Sequence, residues 1–246
     1  MDSGNMATKE RIAVRVPCGW DVTASLAVFM VNLTKMSAEP LCPYEFNVGF
    51  VQNYKPADYA RNKIVSDFLS DGSFSRLWFI DSDILPKKEC MKLLISEDDI
   101  VGGTYDIWGG YKKEEPVRAT RTAYVDGVEQ KGWIPVPVPA DGFYNVDAIG
   151  TGMMIIRKRV LADERMWIGG EKGAVFQNIY GPMRNIEISE DLDFCRRAKS
   201  FGYTVVAHGA INVGHVKTVN VADIVAYAET ESAKHGGSPH LSVHAA

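Results

Sequence analysis

Apolar residues in the first part of the chain follow two alternating spacings. Short continuous apolar runs are typical of strands buried on both faces of a sheet, and apolar residues recurring every three or four positions are typical of helices. The runs predict strands at 11–16, 46–51, 76–80 and 99–101, and the longer spacing predicts helices at 24–36, 56–69 and 86–94. This alternation predicts an α/β fold with a mostly parallel central sheet and helices on both faces.

The pattern changes in the middle of the chain. Residues 104–146 contain a predicted hairpin with Asp126-Gly127 at its turn, followed by alternate prolines that exclude a central strand, so we interpret this segment as an irregular insertion. Regular elements return at 147–156, 189–201 and 203–207, and 221–234 is predicted as an amphipathic helix. We expect a flexible start (1–10), one catalytic domain (11–220), and a C-terminal helix and tail (221–246).

Composition narrows the class of protein. A chain of 246 residues with a formal net charge of -4 suits one globular domain and has no general attraction for nucleic acid or anionic lipid, although a local basic face still permits nucleic acid. The four cysteines lack the spacing of zinc or redox motifs, and we expect them to be reduced and mostly buried. No apolar run is long enough to span a membrane and no signal-peptide pattern is present, which favours a soluble cytoplasmic protein.

The segment Asp81-Ser82-Asp83 is the strongest candidate for chemistry. It follows the apolar run 76–80 directly, at an edge where α/β sheets bind ligands. Two carboxylates with one residue between them can hold one hard divalent cation, since Mg²⁺ commonly takes one or two carboxylates together with substrate phosphates. The alternative is a turn in which each aspartate caps backbone amides. Taken alone, the segment favours neither interpretation.

Two later segments carry further candidates. In Ser189-Glu190-Asp191 the acidic residues suit the first turn of a helix, and one of them is also a candidate general base. In Gly214-His215-Val216-Lys217 the histidine is either a structural residue or a ligand for a metal such as Mn²⁺, and Lys217 is a candidate for stabilising a departing diphosphate.

These segments, in this order, resemble the glycosyltransferase A fold, which is a single Rossmann-like domain with an Asp-x-Asp metal motif. The resemblance covers roughly residues 11–217. It implies that Asp81, Asp83 and His215 bind a divalent metal, Mn²⁺ or Mg²⁺, and that Asp191, with Glu190 beside it, is the general base. The stretch Ala60-Arg61-Asn62 is similar to one in which the arginine reaches the nucleotide diphosphate. The other residues implied to contact the donor are Pro17, Gly19, Ser82 and Lys217.

The implied reaction is metal-dependent transfer of a sugar from a nucleotide-diphosphate sugar, most often a UDP-sugar, to an acceptor hydroxyl. Gly150-Thr151-Gly152 is similar to the family's glycine-rich strand beneath the sugar and acceptor, and Gly103 and Trp108 are further candidates there. The acceptor is expected at 104–146. The expected acceptor is a glycan, a lipid-linked compound or a small molecule. Because short proteins of this fold occur in phages and viruses, a hydroxylated base in phage DNA, within the host cytoplasm, is a further acceptor class. The oligomeric state is not predicted.

Two other functions remain open at this point. Phosphohydrolases of the haloacid dehalogenase type also place Asp-x-Asp after a buried strand, but usually after the first strand and with Thr or Val where this chain has Leu85. A non-catalytic nucleotide- or carbohydrate-binding module would need the donor-binding residues without Asp191.

Overall fold

The computed structural model describes residues 8–19, 21–52, 55–108, 119–121, 123–126, 133–135 and 141–216, with only the backbone course described within 107–140. The first half contains β1 (Glu10–Cys18), α1 (Ala24–Ala38), β2 (Tyr44–Gln52), α2 (Ala57–Ser70), β3 (Arg76–Ile80), β4 (Ile84–Leu85), a 3₁₀-helix (Lys88–Ile95) and β5 (Ile100–Trp108). Next come β6 (Ala119–Arg121), β7 (Ala123–Asp126), β8 (Trp133–Pro135), β9 (Phe143–Asn145), β10 (Ala148–Ile149), β11 (Met153–Arg157) and α3 (Lys158–Leu161). The described part of the chain ends with two short 3₁₀ turns (Glu164–Met166 and Ile168–Gly170), β12 (Ile179–Tyr180), β13 (Ile186–Ile188), α4 (Glu190–Ser200) and β14 (Val205–His215).

The central sheet has the strand order β2-β1-β3-β11-β5-β14-β4, with β6 paired to β5 and β9 paired to β14. The long strands β1, β2, β3, β5 and β14 run in the same direction, and β11 lies antiparallel between β3 and β5. The predicted α/β class with a mostly parallel sheet is therefore confirmed. Because β3 is a central strand with packed residues on both faces of the sheet, every one of its five residues is buried, which explains its continuous apolar sequence.

Each face of the sheet has its own hydrophobic core. On β3, Leu77 and Phe79 face a core that includes residues of α2, α3 and α4. Trp78 and Ile80 face the other core, which includes residues of α1 and the 3₁₀-helix. Alternate residues of a strand point to opposite faces, so a fully apolar strand requires a cover on both sides. The expected placement of helices on both faces is thus confirmed.

Strand β5 is longer than its sequence predicts. The predicted strand ends at Val101, but β5 continues through Gly102 and Gly103 to Trp108. A Cβ atom at Gly102 would lie 2.5 Å from Ile149 Cδ1, and one at Gly103 would lie 2.5 Å from Ile211 Cγ2. Glycine therefore marks close packing within the strand here, and not its end. Both ends of the segment 104–146 lie in the central sheet, since β9 pairs with β14 at the other end.

Three smaller predictions can be compared directly. The predicted helix from Pro86 is a 3₁₀-helix beginning at Lys88. The predicted hairpin is present as antiparallel β7 and β8, with Asp126 opposite Trp133, and β8 with its Pro135 is an edge strand. Gly127, Pro137, Pro139 and the predicted helix 221–234 lie outside the described residues. The four cysteines are unpaired thiols, and Cys42, Cys90 and Cys195 are buried. Within the described part of the chain, no helix has the length and apolar character needed to cross a membrane.

Candidate functional site

The turn Asp81-Ser82-Asp83 lies at the carboxyl end of the central strand β3. The Asp81 amide donates to the carbonyl of Gly152 (3.1 Å), and the Ile84 amide donates back to the carbonyl of Asp81 (3.1 Å). Strand β4 follows and pairs with the end of β14, placing His215 opposite Ile84. The Val216 amide then donates to the carbonyl of Asp83 (2.8 Å). Backbone hydrogen bonds thus hold the end of β14 against the aspartate turn.

His215 and Asp83 face each other across this junction. His215 Nε2 lies 3.1 Å from Asp83 Oδ2, and His215 Nδ1 lies 3.0 Å from the carbonyl oxygen of Asp106. A carbonyl oxygen only accepts, so Nδ1 carries a proton, and in neutral imidazole Nε2 then carries a lone pair. A lone pair directed at a carboxylate needs a positive charge between or on the two groups. A divalent cation bound by both atoms, or a single proton held between them on the ring or on the carboxyl group, satisfies that need.

Arg61, on α2, joins two of the predicted acidic residues. Its Nη2 lies 3.0 and 3.2 Å from Asp81 Oδ1 and Oδ2, and its Nη1 lies 3.0 Å from Glu190 Oε1. Burial raises the pKa of Asp81, as do the nearby Asp83 and Asp191 carboxylates, while Arg61 lowers it. Burial also raises the pKa of Glu190, and Arg61 opposes this. Burial works against the charge on Arg61, but the carboxylates of Asp81 and Glu190 raise the pKa of its guanidinium.

The local charge balance favours a cation. Four carboxylates, those of Asp81, Asp83, Glu190 and Asp191, act on one another or on the single guanidinium of Arg61. Within the ranges that the structure describes, no three His, Cys, Asp or Glu side chains converge on one point as a complete metal cage. A metal ion here would take Asp83 and His215 as protein ligands and complete its shell from a bound ligand and water, a common arrangement for ions that contact substrate phosphates.

The acidic residues at the start of α4 have different surroundings. Asp191 Oδ1 accepts from the Leu192 amide (2.9 Å) and from the Ser189 hydroxyl. Asp193 is fully buried and pairs with Arg196 (2.7 Å) and Arg197 (2.8 Å). Asp193 also accepts from Gln177 Nε2 (3.1 Å), and Arg197 donates to the carbonyl of Met166 (2.8 Å), so this buried cluster holds α4 against the preceding segment. Glu190, Asp191 and Asp193 all lie in the first turn of α4. Among the described residues, Glu190 and Asp193 have ion-pair partners and Asp191 has none.

A cleft of about 660 Å³ opens beside the aspartate turn. Of the predicted donor-binding residues, Pro17, Gly19, Arg61 and Ser82 line it, together with Asp81 and Asp83. Cys18 and Ala60, which belong to the predicted stretches, also line it, whereas the sequence motifs did not mark Lys55, Pro56 and Ala57. For Lys55-Pro56 a signal existed, since the pair directly precedes α2, which carries Arg61. Lys217 lies outside the described residues.

The predicted sugar-binding residues Gly103, Gly150, Thr151 and Gly152 are not among the residues that line the cleft. Gly103, Gly150, Thr151 and Gly152 are all buried, and a direct contact between them and a sugar stays a prediction. The Gly152 amide donates to the Tyr105 hydroxyl (3.1 Å), and the Tyr105 ring meets the His215 ring edge-on with centroids 5.1 Å apart. Burial raises the pKa of Tyr105 well above its usual range, and Asp81 and Asp191 add to this. Tyr105 therefore packs against His215, the candidate metal ligand. The sequence around Tyr105 did not predict this contact. The side chain of Trp108 lies outside the described part.

No family model matches the sequence, and no curated protein is detectably similar to it. Among solved structures, the chain is similar to A197 from STIV, with 16% sequence identity and a TM-score of 0.54, covering 85% of this chain and 86% of that chain. It is also similar to the catalytic domain of Drosophila β1,4-galactosyltransferase 7 in complex with xylobiose (12% identity, TM-score 0.46, 85% of this chain and 71% of that chain). A further neighbour is GalNAc-T7 with UDP, GalNAc and Mn²⁺ (13% identity, TM-score 0.44, 88% of this chain and 45% of that chain).

These similarities differ in what they support. The two glycosyltransferase structures have TM-scores too low to assign a function to this chain. At 16% identity, the likeness to A197 concerns the fold alone. The chain therefore has a mixed α/β fold shared with A197, and its function has to be argued from the side chains of the cleft.

Proposed function

We propose that this protein is a metal-dependent glycosyltransferase that takes a sugar from a nucleotide-diphosphate sugar and passes it to an acceptor hydroxyl. One observation carries the proposal. At the carboxyl ends of β1 and β3, a cleft of about 660 Å³ ends at the facing pair Asp83 and His215. Open α/β sheets bind nucleotides at this edge, and the volume lies within the range of small-ligand sites. A UDP-sugar is the first donor to test.

The donor would be held by its diphosphate. Asp83 and His215 would bind Mn²⁺ or Mg²⁺, which suits one carboxylate and one imidazole when phosphate oxygens and water complete the shell. When bound, such an ion supplies Lewis-acid stabilisation of the leaving diphosphate. Lys55 and Arg61 bring positive charge to the same cleft. Pro17, Cys18 and Gly19, at the end of β1, would contact the nucleoside.

Asp191 is our candidate for the general base. Glu190 is ion-paired with Arg61 at 3.0 Å, so its carboxylate is already engaged. The described hydrogen bonds of Asp191 go to Oδ1, which leaves Oδ2 for an acceptor hydroxyl. In-line attack by a hydroxyl deprotonated there would invert the anomeric carbon. The proposed acceptors are a glycan, a small molecule, or a hydroxylated DNA base, which would have to be extruded from a duplex.

The phosphohydrolase alternative requires Asp81 as a nucleophile. Both carboxylate oxygens of Asp81 lie within 3.0 and 3.2 Å of Arg61 Nη2, and such an ion pair lowers the nucleophilicity of the carboxylate. A binding module without catalysis would use the same cleft and leave Asp191 without a task.

The proposal is tested with a panel of nucleotide-sugars and Mn²⁺, measuring release of the nucleotide diphosphate, because water often replaces a missing acceptor. Asp191→Asn should lower turnover by roughly 10²-fold or more and keep donor binding. Asp67→Asn, at an exposed carboxylate of α2, is the matched control and should leave both unchanged. Absence of both turnover and binding with every donor would refute the proposal. Phosphate release from a phosphomonoester such as p-nitrophenyl phosphate would favour the phosphohydrolase, and donor binding without turnover would favour the binding module.

A further inference from the structure

We infer that Arg61 is a positioning residue that fixes Glu190, and with it the first turn of α4, relative to the aspartate turn after β3. The contact itself does not depend on the proposed function, but its consequence for catalysis does. One guanidinium reaches two carboxylates from different parts of the chain, Asp81 at 3.0 Å and Glu190 at 3.0 Å. The Arg61 side chain is 6% exposed, so these charges interact in a poorly solvated place.

The guanidinium of Arg61 is held in place by its two ion pairs, although not every one of its N–H groups has a hydrogen-bond acceptor. Arg61 Nε is buried without a hydrogen-bond partner among the described residues. A buried unsatisfied donor is destabilising, so compensation has to come from the two charge-assisted contacts. The backbone beneath is anchored as well. The neighbouring Asn62 accepts from the amides of Val175 and Phe176 (2.9 and 2.8 Å) and donates to the Phe176 carbonyl (2.8 Å). α2 therefore presents Arg61 from a fixed base.

Fixing Glu190 also fixes its neighbour Asp191. The two residues are consecutive in the first turn of α4, where the backbone leaves little freedom to move one without the other. Asp81 belongs to the turn that carries Asp83. Arg61 thus links the aspartate turn, which carries the proposed metal ligand Asp83, to the start of α4, which carries the proposed base Asp191. Without its charge, the carboxylates of Asp81 and Glu190 would repel each other at close range.

The first test uses the protein without any ligand. Thermal unfolding midpoints are measured for the unmodified protein, Arg61→Met, Glu190→Gln and the double variant. Arg61→Met should lower the midpoint by roughly 10 °C, because it leaves two partly buried carboxylates without their ion-pair partner. The shift in midpoint caused by Glu190→Gln should be more stabilising in the Arg61→Met background than in the unmodified protein, by roughly 5 °C. Glu187→Gln, at an exposed residue of β13, is the matched control and should give the same shift in both backgrounds.

Lysine at this position separates charge from geometry. Arg61→Lys keeps a positive charge, but a single ammonium group cannot make the same forked contact with both carboxylates. It also serves if Arg61→Met does not fold. Glu190→Gln should then shift the midpoint differently in the Arg61→Lys background than in the unmodified protein. If Glu190→Gln gives equal shifts in the unmodified protein and in both Arg61 backgrounds, the linkage does not exist and the inference is overturned.

The second test asks whether the linkage serves catalysis. With Mn²⁺ and a UDP-sugar, Arg61→Lys and Glu190→Gln should each lower kcat for donor hydrolysis about tenfold with little change in KM. The double variant should be no slower than either single one, since both break the same linkage. A rise in KM alone for Arg61→Lys would make it a diphosphate ligand and overturn the positioning role. If the unmodified protein turns over no donor, the proposed function fails, and the ligand-free midpoints still decide the linkage.

Discussion

Replacing Gly152 with alanine should destabilise the protein and disturb the Asp83 and His215 pair through Tyr105. A Cβ atom at residue 152 would lie 2.7 Å from Tyr105 Cζ, 2.8 Å from its hydroxyl oxygen and 2.9 Å from Cε1. Carbon atoms in contact sit about 3.5–4.0 Å apart, so the ring would have to move by about 1 Å. Tyr105 is only 6% exposed, and its ring already meets His215 edge-on. The ring has little room to move except towards His215 or by displacing backbone.

The expected cost follows from these contacts. Overpacking a buried site typically costs about 1–3 kcal/mol, and straining the 3.1 Å bond from the Gly152 amide to the Tyr105 hydroxyl adds about 1 kcal/mol. The sum, about 2–4 kcal/mol, corresponds to a fall in Tm of roughly 5–15 °C for a chain of this size. If His215 binds a metal, displacing its neighbour should also weaken Mn²⁺ affinity by roughly tenfold or more.

Two further variants make the assay decisive. Circular dichroism follows thermal unfolding, and electron paramagnetic resonance counts free Mn²⁺. Gly72→Ala is the matched control, because a Cβ atom there would meet nothing within 4 Å. It should change stability by no more than about 0.5 kcal/mol. Tyr105→Leu removes the atoms that collide, so Gly152→Ala should cost much less in that background. Equal costs for Gly152→Ala with Tyr105 and with Leu at residue 105 would refute the steric explanation.

Three other predictions concern separate parts of the molecule. Asp83→Ala should abolish Mn²⁺-dependent binding of UDP measured by calorimetry, whereas Asp67→Ala should not; unchanged affinity would remove Asp83 from the metal site. Asn62→Ala should lower the free energy of unfolding by about 2–3 kcal/mol in urea titrations, because two amides and one carbonyl lose their partner, and a cost near zero would show that water replaces these bonds. The third prediction concerns His208, whose pKa is lowered by burial and by the nearby Lys92, against an opposing effect of Asp141. His208 Nδ1 also accepts from the Ala210 amide (3.2 Å). The folded protein therefore favours the neutral form of His208. The unfolded chain then binds the extra proton first, and stability relative to His208→Gln should be constant above pH of about 6.5 and fall below it; a difference independent of pH would contradict this.

Local sequence patterns were sufficient to predict the main strands and helices and the position of the aspartate turn. Strand β3 follows from a continuous apolar run, because only a strand covered on both faces tolerates one, and the first polar residues after it mark the edge of the sheet. The helix α4 follows from its acidic first turn and from Gly202 after its last turn, where φ is 89°. Such features depend on residues that are neighbours in the sequence. They can therefore be predicted from hydrophobic periodicity and from the residues typical of helix ends.

Which distant residues meet at the site depends on contacts between segments far apart in the chain. β11 lies antiparallel between β3 and β5, and this insertion brings Gly152 beside Asp81 and against Tyr105. The pairing of β14 with β4 brings His215 to Asp83, and the packing of α2 and α4 brings Arg61 to Glu190. The role of Arg61 as a donor ligand stays a prediction, and the structure adds that its guanidinium pairs with two carboxylates. Strand order depends on hydrogen bonding and packing between segments far apart in the chain, and local spacing carries no record of those partners.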